Sequence, residues 1–199
     1  VSASLSNPVM SLQWSIKERD VLPQRDANDV FAYAAPPEIV DLARPSLKSA
    51  LGVRVARDWS EPNPFAPVAG GSLAFKAEVA HPRMLGGDVA QASASVKLRQ
   101  STPLVDGVSL SVALEGALVR SLDGAAVPLP DRLFMGGPLG VWGFLPRGAG
   151  PRTADGRCAL GGTAKWQARV ALEGPPPLAG LSGTAMRTHV FLAVGALSN

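Results

Sequence analysis

The sequence predicts an all-β fold, an antiparallel up-and-down transmembrane β-barrel, and three observations lead there. Apolar and polar residues alternate with period two over segments close to the roughly 9–11 residues that a tilted strand needs to cross a bilayer. Glycine (21) and proline (18) are abundant and cluster between those segments, as in an all-β meander. No apolar run approaches the roughly 18 residues of a membrane-spanning helix. Only helices and closed barrels satisfy every backbone amide in lipid, so a membrane reading of this chain must use strands.

The alternation recurs along the chain. Met10, Leu12, Trp14 and Ile16 alternate with Ser11, Gln13, Ser15 and Lys17. Leu47, Leu51, Val53 and Val55 stand opposite Lys48, Ala50, Gly52 and Arg54; Leu73, Phe75, Ala77 and Val79 stand opposite Ala74, Lys76 and Glu78. The same holds for Ala90 to Arg99, for Leu110 to Leu118, and for Ala164 to Glu173. A shorter segment from Val30 to Ala35 and the terminal Arg187-to-Gly195 stretch bring the expected count to about eight strands. Successive side chains of a strand point to opposite faces, so each segment has one apolar and one charged face. This places Met10, Leu12, Val96, Leu98, Leu110, Val112, Val170 and Leu172 toward lipid, and Lys97, Glu115, Lys165 and Arg169 toward a wet lumen. A soluble sandwich also alternates, but charges on the polar face of nearly every strand fit a lumen better. Trp14, Trp166 and Phe191 fit either an interfacial aromatic girdle or ordinary packing. The Gly86–Asp88 region is expected to be a tight turn, 35–45 a loop, and Asp58–Val68 and Ser121–Ala159 long connections.

Composition narrows the function. A net charge of +3, with basic and acidic residues interspersed, gives no nucleic-acid stripe despite a pI near 9.4. The single cysteine, Cys158, excludes an internal disulfide, and His81 and His189 lack metal-ligand spacing, so neither a metal nor another cofactor is expected. A phosphate-cradling glycine loop is missing from the sequence, and no constellation calls for catalytic residues. The chain opens on Val1 rather than Met and stops just after an apolar strand pattern, so it is expected to be a fragment or a partial gene model.

A family resemblance rests on particular residues. Phe134, Gly136, Gly137, Pro138, Gly143 and Phe144 resemble the F-x-x-G-G-P and G-F elements of the outer-membrane β-barrel assembly family, the bacterial surface antigen family. Leu160, Gly161 and Gly162, followed by Ala164 and Trp166, resemble its next strand entry. SLKSALGVRVARDW, GGDVAQASASVKL and RTHVFLAVG resemble strands of its mitochondrial, sorting-and-assembly branch, so the likeness covers most of the chain from Ser46 onward.

The resemblance implies that residues 1–199 form one partial barrel domain, the C-terminal half of a sixteen-stranded barrel, in which the loop at 121–159 folds back into the lumen. It implies a factor, not an enzyme, that inserts unfolded β-barrel precursors into the mitochondrial outer membrane. The implied partners are those precursors, accessory subunits of an assembly complex and outer-membrane lipid. A plastid or bacterial assembly or translocation barrel and a passive porin-like channel are the alternatives. The implied loop motif is Phe134, Gly136, Gly137, Pro138, Trp142, Gly143 and Phe144, facing a wall at Gly161, Gly162, Thr163 and Lys165. The sequence departs from the pattern twice: Trp142 stands where the family carries the arginine of R-G-F, and Thr163 where the mitochondrial branch carries a glutamate. The family's ion-pair lock between loop and wall is therefore not expected here in its usual form.

Overall fold

The computed structural model describes residues 8–20, 36–60, 69–105, 107–137, 140–141, 143–176 and 187–199. Seven strands follow one another in a single antiparallel sheet whose spatial order is their order in the chain. They are β1 (Val9–Arg19), β2 (Ser46–Asp58), β3 (Gly70–Ala80), β4 (Gln91–Val105), β5 (Val108–Ser121), β6 (Ala164–Gly174) and β7 (Thr188–Ser198). The count among the described residues is thus seven rather than about eight; the expected Val30–Ala35 segment lies outside them.

Cross-strand register turns the alternation of each strand into two continuous faces. Val55, Phe75, Val96, Gly116 and Trp166 form one lateral row, and Leu73, Leu98, Leu114, Ala168 and Val194 the next. The other face carries Ala74, Lys97, Glu115 and Gln167 in one row and Ser72, Arg99, Ala113 and Arg169 in its neighbour. A slip of one residue would exchange the two faces, so seven strands in agreement fix the register. The apolar face stays uncovered: Leu12 and Leu192 are each 69% exposed and Leu118 is 51% exposed. A soluble sandwich would bury such a face against a second sheet, whereas a barrel in lipid leaves it outward. Phe191 pairs with Ala171 on the polar face, which removes it from any lipid-side aromatic girdle; Trp14 and Trp166 lie on the apolar face.

Two local expectations are corrected. Residues 35–45 are not all loop, because a short helix, α1 (Pro37–Leu42), starts with proline in its first turn, where the missing N–H costs nothing. The connection at Gly86–Asp88 is no tight turn, because α2 (Pro82–Leu85) lengthens it; the shortest connection between described strands is the one from β4 to β5. Ser101, Thr102 and Pro103 hide this hairpin in the sequence, and a register shift between Pro103 and Val105 accommodates the proline's missing donor. Gly107, at φ +77°, supplies the left-handed residue that the turn requires.

Because the strands are antiparallel, connections 20–45, 81–90 and 122–163 leave one end of the sheet and 59–69, 106–107 and 175–187 the other. Among the described residues no helix is long and apolar enough to cross a membrane, a statement that does not bear on strands. Among those same residues β1 and β7 each pair on one side only, so the sheet has two open edges.

Candidate functional site

The connection between β5 and β6 lies against the polar face of the sheet. It includes a 3-10 turn at Leu129–Asp131, and Arg132 then pins it from both sides. The Arg132 guanidinium donates to the carbonyls of Val127 (3.1 Å) and Leu160 (3.3 Å) and to Oδ1 of Asn199 (3.4 Å). Burial lowers the pKa of this guanidinium, and carbonyl acceptors keep the charge satisfied. Leu133 and Gly162 exchange both backbone hydrogen bonds, each 2.8 Å, which seats the loop on the entry to β6.

The glycines of the motif allow close approach. Gly162 lies so near β7 that a Cβ would meet the Leu197 side chain at 2.9 Å as well as the Ser198 carbonyl. Gly161, at φ +65°, would place a Cβ 2.8 Å from the Leu133 carbonyl and 3.0 Å from the Phe134 ring. Further along, Gly136 (φ +112°) and Gly137 (φ +87°) turn the chain so that the Gly137 N–H donates to the Phe144 carbonyl (3.0 Å). Met135 pairs with Ala149 and is buried, its sulfur facing the bare Cα of Gly195 on β7. Val141, also 8% exposed, and Gly140 close over a cleft of ≈ 380 Å³ whose floor includes Lys97, Arg99, Glu115 and Arg169.

The sequence-derived candidates distribute as follows. Phe134, Gly136, Gly137, Gly161 and Gly162 converge into one packed unit, with the Arg147 guanidinium stacked over the Phe134 ring at 5.0 Å. Gly143 has a positive φ (+93°) with open space around it, and Phe144 (52%) and Leu145 (79%) are exposed rather than buried against the wall. Pro138, Leu139 and Trp142 lie outside the described residues. Thr163 acts through its backbone: its N–H donates to the Ser198 carbonyl (2.8 Å) and its carbonyl accepts from Val119 (2.7 Å), tying β5 to β7. Lys165 bonds Glu115 on the adjacent strand at 2.8 Å, and Glu115 also accepts from Gln167 (2.8 Å).

Sequence reasoning missed the strongest polar contact between loop and sheet. Asp131, whose side chain is 7% exposed, is bonded by Arg19 of β1 and by Lys48 of β2 (2.8 Å). Lys48 also pairs with Glu78 of β3 (2.5 Å). The only local signal was an acidic residue immediately before the motif. Among the described residues no group of histidine, cysteine and carboxylate side chains is arranged to hold a metal.

A seven-stranded meander with an uncovered apolar face, a charged opposite face and a glycine-rich loop packed on that charged face defines a segment of a transmembrane β-barrel. The Omp85 superfamily domain model matches residues 3–199, and the chain belongs to that family. It is 29% identical over 202 residues to the sorting and assembly machinery component 50 homolog A of Xenopus laevis, covering 100% of this chain and 42% of that protein. The Bos taurus sorting and assembly machinery component 50 homolog is 31% identical over 157 residues, 77% of this chain and 32% of its own length. A SAM50-like protein of Schizosaccharomyces pombe is 29% identical over 177 residues, 88% of this chain and 36% of its own. In fold, the chain is similar to the crystal structure of BamA from Haemophilus ducreyi lacking POTRA domains 1–3, with a TM-score of 0.67 at 17% identity, over 96% of this chain and 38% of that one. The chain thus spans 32% to 42% of the length of these three relatives.

Proposed function

We propose that the protein carrying this chain inserts β-barrel precursors into the mitochondrial outer membrane. The observation that carries the reading is its match, over its whole length, to a sorting and assembly machinery component. One structural feature supports it. The glycine-rich loop docks on the charged face, which in a closed barrel lines the lumen, and a passive channel has no need of that device. Strand addition at an opened barrel seam, where backbone donors and acceptors are left unpaired, is a physical route for templating an incoming hairpin. On this reading, Phe134, Gly136, Gly137, Pro138, Trp142, Gly143 and Phe144 form the lumenal loop motif, with the loop running through 121–159. Gly161, Gly162, Thr163 and Lys165 form the wall beside it. No bond is made or broken in such a process, and the partners are unfolded precursors, accessory subunits and outer-membrane lipid.

The test is co-isolation from mitochondria. A barrel precursor arrested during import should co-purify with the tagged complete protein after solubilisation in mild detergent, and a helix-anchored outer-membrane protein should not. Equal recovery of the two substrates contradicts the reading.

A further inference from the structure

We propose that Asp131 is the residue that anchors the loop in the lumen, through an ion pair of inverted polarity: the acid is on the loop and the bases are on the wall. This rests on reading the polar face as the lumen.

The geometry supports it from three directions. The Asp131 carboxylate is nearly buried and is held at once by Arg19 of β1 and Lys48 of β2, side chains 15% and 6% exposed. Through Lys48 the contact extends to Glu78 of β3, which also accepts from Lys76 (3.0 Å), so the one loop carboxylate engages three successive strands. A charge this deep needs partners, and removing one side strands the other, which is why the arrangement positions the loop firmly.

Asp131 also stands two residues before Leu133, which pairs with Gly162 at the head of β6. Two residues of chain span at most about 7 Å, whereas β1 and β6 are five strand spacings apart, about 24 Å along the sheet. With the reach of the Arg19 and Lys48 side chains added, residues 131–133 form a chord between the first strands of the sheet and its last ones. The motif loop begins on that chord.

The test uses the complete protein in its membrane, with Cys158 and any cysteine elsewhere in that protein changed to serine and Val141→Cys reporting loop position through a bulky impermeant maleimide. With Asp131 intact, labelling should be slow. Asp131→Asn should speed it by at least roughly tenfold, the factor that about 1.4 kcal/mol of lost anchoring produces. Asp131→Lys should speed it further. Asp131→Lys combined with Arg19→Glu should slow labelling again, because the base is then on the loop and faces the introduced carboxylate, while Lys48 stays paired with the native Glu78. Unchanged labelling in Asp131→Asn overturns the proposal, as does a double variant no slower than Asp131→Lys alone. A loosened loop with normal precursor assembly leaves the anchor standing and removes the loop from the proposed assembly function, so the two failures are distinguishable.

Discussion

Leu133 and Gly162 are bonded to each other through both of their backbone amides, across a stretch of chain that travels over the polar face and back. The pair fixes where the loop ends and β6 begins. Its stability depends on glycine, since a Cβ at 162 would press into Leu197 and the Ser198 carbonyl.

Gly162→Ala is therefore expected to push the loop entry off β7 and to destabilise the barrel by about 1–3 kcal/mol, the usual cost of forcing extra atoms into a packed site. Heat-modified electrophoretic mobility of the complete protein reads this directly. A transition at the wild-type temperature would show that β7 accommodates the methyl group freely.

The two faces of the sheet should differ sharply in their tolerance of charge. Leu114→Arg places a guanidinium on the uncovered apolar face and is expected to cost about 2–4 kcal/mol at mid-bilayer, whereas Gln167→Arg, on the polar face, should cost far less. Folding yield into lipid vesicles measures both. Equal yields for the two variants would mean that the apolar face is not the lipid face.

Arg147 is the only non-glycine with positive φ (+59°) among the described residues, and its guanidinium stacks on Phe134. Two opposing terms are set against each other there: left-handed backbone costs roughly 1–2 kcal/mol for an L-residue, and an exposed cation–π contact returns about 0.5–1 kcal/mol. Arg147→Ala loses the contact and keeps the strain, so it should destabilise; Arg147→Gly loses the contact and relieves the strain, so it should be neutral or slightly stabilising. Thermal unfolding of the two variants in detergent checks the order, and Ala above Gly would contradict it.

Asp131 gives a pH dependence with a defined sign. Burial alone would raise its pKa, but hydrogen bonds from Arg19 and Lys48, with their charges, outweigh burial and hold it below the ordinary carboxylate value; Glu78 and Lys76 complete the charges around it. A folded-state pKa below the unfolded one adds stability that is fully present above the unfolded value, about 3.9, and is lost as the pH falls through the folded value. The difference in unfolding temperature between wild type and Asp131→Asn should hold steady from neutral pH down to about 4 and shrink below it. A difference that is the same at all these pH values would separate Asp131 from the acid response.

The faces of the strands were legible in the sequence because period two is a local property, visible wherever Leu, Val and Phe alternate with Lys, Ser and Gln. The glycines at 136, 137, 161 and 162 were legible as a motif, and they do sit at turns and close contacts. The β4–β5 hairpin was not, because Pro103 interrupts the alternation just where the ladder shifts register. The bonds from Arg19 and Lys48 to Asp131 join residues 112 and 83 positions apart, a pairing set by the path of the loop across the sheet rather than by any spacing in the chain. Phe144 and Leu145 are exposed, so the apolar character of a loop residue does not by itself place it against the wall.

Import into isolated mitochondria tests the central claim most directly. Radiolabelled barrel precursor is added to organelles depleted of the complete protein and to the same organelles after its restoration. The account predicts that the precursor becomes resistant to carbonate extraction and to added protease only where the protein is present, while helix-anchored outer-membrane proteins insert equally in both. Barrel assembly at the normal rate in depleted mitochondria would contradict it.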